Sequence, residues 1–181
     1  VAFDGANIWV TNYYSNRVTK LLASTGATVG TFLVGAGPYA LAFDGTSIWV
    51  ANFGSNNATQ LLADTGAVVG THAAGVNPYG IAFDGANIWV TNVNSHTVTK
   101  LLGSTGATLG SFPTGNWPYA LAFDGTNIWV ANNGNNTVSK LLASTGATLG
   151  TFPVGFVPMA VAFDGANIWV ANYVGDSVSK R

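Results

Sequence analysis

The chain has 181 residues, 48% hydrophobic and only 7% charged, with a net charge of −1, where a soluble domain ordinarily carries about 25% charged residues. That balance excludes the clustered Lys and Arg that hold nucleic acid or an anionic membrane surface. The absence of cysteine excludes disulfides and thiolate metal sites, and apolar runs broken every few residues by Asp, Asn, Gly or Thr exclude a spanning helix, which needs roughly 20 consecutive apolar residues.

The chain opens on AFDGANIWVTN at 2–12, and nearly the same words return at 42, 82, 122 and 162. In chain order the next strand-length runs are RVTKLLA (17–23), ATVGTFLVG (27–35), PYALAFD (38–44) and SIWVAN (47–52). They are rich in β-branched and aromatic residues, with alternation of period two and none of period 3.6. Turn signals separate them: Asp44-Gly45, the Ser/Asn/Gly cluster at 53–57, Thr65-Gly66, and Gly with Pro at 75–78. The register is 40 residues without insertion or deletion, giving full units 1–40, 41–80, 81–120 and 121–160 and a partial unit 161–181. Each full unit reads as four strands, A to D, with A beginning at Pro38, Pro78, Pro118 or Pro158.

Four antiparallel strands per unit of about 40 residues predict an all-β fold, a β-propeller of four-stranded blades, with residues 1–181 as one repeat domain. Runs such as ALAF and IWV show little polar alternation, as strands buried on both faces do. A β-solenoid is the competing architecture, but its coils are shorter and need no four-strand meander. Residues 118–155, PYALAFDGTNIWVANNGNNTVSKLLASTGATLGTFPVG, resemble the YVTN-type propeller repeat, with IWVTN and IWVAN in place of the name-giving word. The chain is also similar to streptogramin-lyase-like and NHL-like blades. The resemblance covers every unit and implies a propeller; it implies no single activity.

The repeated residues each carry two readings. Asp4, Asp44, Asp84, Asp124 and Asp164 precede glycines and read as turn formers that bond local N–H groups, or as a carboxylate ring around a cation; spacing around a ring favours the turn and no metal site. Trp9, Trp49, Trp89, Trp129 and Trp169 read as wedges between blades, or as a stacking stripe. Asn12, Asn52, Asn92, Asn132 and Asn172 read as satisfying the turn after strand B. Lys20, Lys100, Lys140 and Lys180 share a phase with Gln60 and read as a solvated edge.

Differences between units concentrate in the B-to-C turns (13–17, 53–57, 93–97, 133–137, 173–177) and the D-to-A links (33–37, 73–77, 113–117, 153–157), which share one end of an up-and-down blade. That variable face carries Tyr13, Tyr14, Phe53, Trp117, Phe156 and Tyr173, with Asn94 and Asn133 nearby. Aromatics beside Asn and few charges suit a neutral glycan or a peptide; relaxed drift in unconstrained turns explains them equally. No catalytic set is predicted. His72 takes the place of a Phe, His96 sits in a variable turn, and there is no Glu to partner either. Streptogramin lyases rely on His with acidic and metal partners, a set that no position here carries, so the resemblance transfers no activity and no cofactor.

The leading functional expectation is therefore a non-catalytic scaffold that completes a ring, by association with its own kind or as part of a longer propeller, with ligand binding by the variable face as the alternative. Two chains give eight, nine or ten blades, depending on how the ends meet; one chain closing alone gives five. Ser, Thr, Asn and Gly richness with few charges points to an extracellular or cell-surface setting.

Overall fold

A computed structural model describes all 181 residues, 1–181. Nineteen strands form five antiparallel sheets in which sequence neighbours are always spatial neighbours. Blade one contains β1 (Ala2–Phe3), β2 (Asn7–Asn12), β3 (Arg17–Leu22) and β4 (Thr28–Leu33). Blade two contains β5 (Pro38–Phe43), β6 (Ser47–Asn52), β7 (Asn57–Leu62) and β8 (Val68–Ala73). Blade three contains β9 (Pro78–Phe83), β10 (Asn87–Asn92), β11 (Thr97–Leu102) and β12 (Thr108–Pro113). Blade four contains β13 (Pro118–Phe123), β14 (Asn127–Asn132), β15 (Thr137–Leu142) and β16 (Thr148–Pro153), and blade five has three strands, β17 (Pro158–Phe163), β18 (Ile168–Asn172) and β19 (Ser177–Lys180). Their first strands, β5, β9, β13 and β17, run beside one another and form the inner wall of the arc.

The tight A-to-B turn shows why Asp-Gly recurs. Asp84 Oδ1 accepts the backbone N–H groups of Ala86 and Asn87 at 2.9 and 2.7 Å, as an Asx turn requires. Gly85, at φ +96°, supplies the left-handed residue. The second carboxylate oxygen does something the repeat alone did not foretell: it accepts the indole N–H of Trp89, at 2.7 Å. The same indole bond, at 2.7 to 2.8 Å, occurs in all five blades. The turn thus fixes the one polar atom of a ring that is otherwise buried in an apolar seam.

Four such seams hold the stack together. In the first, Trp9 and Val18 of blade one meet Leu41, Ile48, Val50, Leu61 and Ala63 of blade two. The seams between blades two and three, three and four, and four and five repeat these positions at the 40-residue offset. Each Trp also meets a ring from strand D of its own blade at 5.1 to 5.8 Å: Phe32, His72, Phe112 or Phe152. The predicted wedge role of the Trp series is therefore the observed one. Removing about 150–250 Å² of indole from water at about 25 cal/mol/Å² contributes about 4–6 kcal/mol per seam.

Two expectations need correction. The Lys series is not a solvated edge where the seam is complete: Lys20 and Lys100 are only 5% and 6% exposed. Each ammonium lies over the Trp of its own blade, at 5.4 and 5.1 Å from the ring centroid. Each crosses the seam to donate to two carbonyls of the next blade, Ala63 and Asp64 for Lys20, Ala143 and Ser144 for Lys100. Gln60 is too short for that reach and instead donates to Ser47, which stands where the other blades carry Asn. A cleft of about 600 Å³ lies beside it, between blades two and three. The Asn series likewise does more than close a turn. Asn92 donates to Thr97 and Thr99 of the neighbouring strand and accepts the N–H of Gly75 in the preceding link.

Closure of a single chain into five blades is also not what is observed. None of the seams joins blade five to blade one. Trp169 is 38% exposed and Val178 is 63% exposed, whereas their counterparts in the first three blades are fully buried. The arc is open.

Candidate functional site

The variable turns and links do lie together. Phe53 and Gly54 donate their backbone N–H groups to the carbonyls of Gly37 and Ala36, and Asn133 and Gly134 repeat this on Trp117 and Asn116. The side chain one turn away braces the same link: Asn16 accepts the N–H of Gly37, Asn56 that of Asn77, and His96, through Nδ1, that of Trp117 at 3.2 Å. His96 is half-buried and bonded because its left-handed backbone, φ +55°, turns the ring onto the link.

At the mouth of the inner wall this end opens into a basin of about 530 Å³. Three of its rings come from the innermost strands, one per blade: Tyr39, Tyr79 and Tyr119. They stack in a column, with centroids 3.8 and 4.5 Å apart, and the Tyr39 and Tyr79 hydroxyls share a hydrogen bond. Burial and that bond push the Tyr79 phenol well above the ordinary tyrosine range, so it stays neutral at physiological pH. Tyr13 and Phe53 add rings from the B-to-C turns, Trp117 adds one from a link, and Asn94 and Met159 complete the wall. Trp117 holds its place at φ +52°, where its counterpart in blade two is Gly37. A bulky residue is strained there, at a cost of order 1–2 kcal/mol.

The basin brings together four of the eight residues picked from the sequence: Tyr13, Phe53, Asn94 and Trp117. Tyr14, 97% exposed, lies outside the basin with its ring edge-on to Tyr13, and Phe156 and Tyr173 are exposed on blade five outside the basin. Asn133 turns inward to the Pro158 carbonyl and the Met159 sulfur. The Tyr column was missed: Tyr39 and Tyr119 in PYALAF and Tyr79 in PYGIAF pass as ordinary alternating strand residues. The signal was positional, a polar-tipped ring directly after the proline that opens the innermost strand.

The acidic residues with lowered pKa lie at the opposite end, in the A-to-B turns. Burial opposes ionisation of Asp4, yet the bonds from Trp9, Ala6 and Asn7 outweigh it and hold the carboxyl at about 2. Asp84 and Asp124 are lowered in the same way against burial, and Asp164 is lowered chiefly by its Trp169 bond. His72 is pushed down by burial, stacks on Trp49 at 5.1 Å and leaves Nε2 without a partner. No group of three His, Asp or Glu side chains is placed to hold a metal ion. No helix is long and apolar enough to cross a membrane.

Among solved structures the chain is similar to hydrazine synthase of Kuenenia stuttgartiensis, with a TM-score of 0.80 and 20% identity over 92% of this chain and 52% of that one. It is similar to a streptogramin B lyase, with a TM-score of 0.77 and 21% identity over 99% of this chain and 66% of that one. It is similar also to U3-55K, with a TM-score of 0.86 and 13% identity over 98% and 57%. The fold is a β-propeller. At these identities the likeness concerns the propeller fold alone. The chain spans between about half and two thirds of the length of the propeller structures it matches. No protein-family model matches the chain, and no curated protein does.

Proposed function

We propose that this propeller arc is a non-catalytic assembly scaffold, whose role is to complete a larger ring or array by covering its two open blade faces with further blades. The observation that carries the reading is the exposure of Trp169 and Val178, at a position where equivalent side chains are sealed in every internal seam. An apolar blade face left in water costs the same free energy that its burial yields elsewhere in the stack, and a net charge of −1 does little to oppose association. Neither histidine has a carboxylate partner: His72 stacks on Trp49 and His96 accepts from Trp117, which supports a scaffold over proton-transfer chemistry. Composition supports an extracellular or cell-surface setting. Native mass measurement and light scattering test the reading; a multimer is the expected result, and a strictly monomeric chain at every accessible concentration refutes it.

A second reading is favoured by the basin, and the two are compatible. Six rings surround an uncharged hollow, and the Trp117 indole N–H and the Tyr119 hydroxyl carry no internal hydrogen bond. Flat rings with polar edges and no charge suit the C–H faces and hydroxyls of a neutral glycan, or an apolar peptide. A glycan and peptide array, repeated with Trp117→Ala and Tyr79→Ala, tests it. Binding lost in both variants supports the reading, and binding unchanged in both removes the basin from consideration.

A further inference from the structure

The two open faces of the arc differ, and they differ in a specific way. Each internal seam has a donor side and a receiver side. The donor side is the Trp of strand B with the β-branched or small residue of strand C and, in blades one, three and four, a Lys of strand C, Gln60 standing there in blade two. The receiver side is an Ile and a Val of strand B, a Leu of strand C and the carbonyls that follow it. Blade five exposes a donor side with nothing against it: Trp169, Val178 and Lys180. Blade one exposes a receiver side: Ile8, Val10 and Leu21 are only half-buried, whereas their equivalents Ile48, Val50 and Leu61 are sealed.

We infer that this chain pairs head to tail with a second copy of itself, the blade-five face of one copy seated on the blade-one face of the other in the register of the internal seams. The inference rests on the assembly reading above and names its partner and geometry. Carried forward by the repeat, the Lys20 bonds to the Ala63 and Asp64 carbonyls become bonds from Lys180 to the Ala23 and Ser24 carbonyls of the second copy. The Lys180 ammonium already lies over Trp169, at 5.5 Å from the ring centroid, but donates no hydrogen bond. The Ala23 and Ser24 carbonyls accept none. The unused Lys180 ammonium and the unused Ala23 and Ser24 carbonyls are thus the equivalents of the groups that Lys20 and Lys100 join across their seams.

Residue types match at the principal apolar contacts. Trp169 and Val178 repeat Trp9 and Val18, and Ile8, Val10, Leu21 and Ala23 repeat Ile48, Val50, Leu61 and Ala63. Val1, exposed, falls at the phase of Leu41. One contact is lacking: blade five has no strand D, so no ring covers Trp169 as Phe32 covers Trp9. Pairing of like faces is opposed. Two blade-five faces would set Lys180 against Lys180, and two blade-one faces would set carbonyls against carbonyls with no donor between them. A heterologous contact of this kind closes a ring if the rotation permits and otherwise propagates.

The test uses the whole chain and two half-blocked variants. In the first, Trp169→Ala and Lys180→Glu spoil the donor face; in the second, Leu21→Lys spoils the receiver face. All these positions lie on the open ends, so circular dichroism should report unchanged folding. Trp169→Ala alone serves as a milder control. Native mass spectrometry should find the wild-type chain multimeric and each variant shifted to monomer, with association of the donor-face variant weakened by at least roughly thirtyfold, the loss of one buried aromatic anchor. An equimolar mixture of the two variants should restore a single species of twice the monomer mass, because each supplies the face the other lacks. A monomeric wild type overturns both this inference and the assembly reading. A multimeric wild type whose donor-face variant still assembles alone, or whose two variants fail to recombine, overturns the head-to-tail geometry and leaves the assembly reading standing.

Discussion

Replacing Asp84 by Ala tests what makes the repeated Asp-Gly indispensable to the fold. The substitution removes the acceptor of the Trp89 indole N–H at 2.7 Å and of two backbone N–H groups at 2.9 and 2.7 Å. Ala86 is exposed and water replaces its bond at small cost. The indole is the expensive group, because Trp89 is fully buried between blades three and four. A buried donor left unsatisfied costs about 1–3 kcal/mol, and a hydrogen bond to a charged group contributes about 1.5–3 kcal/mol. With the partly buried Asn87 N–H included, the expected destabilisation is about 3 kcal/mol. For a chain of this size that lowers the thermal midpoint by roughly 6–12 °C. Asp84→Asn keeps one acceptor oxygen and should lose about half as much. Calorimetry and urea titration followed by Trp fluorescence measure the change. Asp164→Ala in the monomeric Leu21→Lys chain is the internal comparison: there Trp169 is in contact with water, so its indole finds a new acceptor and the midpoint should barely move. Equal losses for the two variants, or a loss below about 0.5 kcal/mol for Asp84→Ala, would refute the claim that the carboxylate acts through a sealed indole.

The same carboxylates set the acid limit. Asp4, Asp84 and Asp124 have folded pKa values below 3.8, so their contribution is fully present above pH 4 and is lost as pH falls through the folded values, about 2 for Asp4; calorimetry against pH should show a steep fall of the midpoint only below about pH 4. His72 titrates below its ordinary 6.5 in the folded chain, so its contribution is present above pH 6.5 and is lost as pH falls below it. His72→Phe should remove that shallower slope. It should also raise the neutral-pH midpoint by about 2–8 °C, because a buried Nε2 without a partner gives way to the ring the other blades carry, worth about 1–2 kcal/mol; a lower midpoint would show that the imidazole is bonded after all.

The strands, the turns and the Trp wedges were legible because each is fixed by a local rule. Period-two runs between Asp-Gly and Thr-Gly leave few alternatives to a meander, and a large apolar ring at one phase of every unit fits only between stacked sheets. Lys100 was misread because residue type was weighed without its neighbours. Its charge does stay out of the apolar seam, but by reaching two turn carbonyls of the next blade rather than water. The paired departure of Ser47 and Gln60 in blade two was the available clue, since the two side chains bond one another. The Tyr column stayed hidden because alternation separates the two sides of a strand and says nothing of position along it. Tyr39 lies at the end of an innermost strand, where the inner wall gives way to the open mouth.

The division between constant and variable residues follows from the stacking itself. A blade in the middle of the arc must fit the blade before it and the blade after it, so the positions of Trp49, Ile48, Val50 and Leu61 are constrained from both sides. Position 37 of the D-to-A link and its equivalent 117 lie outside those apolar clusters, so a Gly at 37 tolerates replacement by Trp at 117 at a strain the stack absorbs. The basin draws its stacked Tyr column from three successive blades, and no single blade supplies more than part of it. Its shape therefore depends on the angle between blades, which the seams set. Covering the open faces of blades one and five restrains that angle at both ends of the arc. Loss of the Trp169 contact would then loosen the basin from a distance, without altering any residue that lines it.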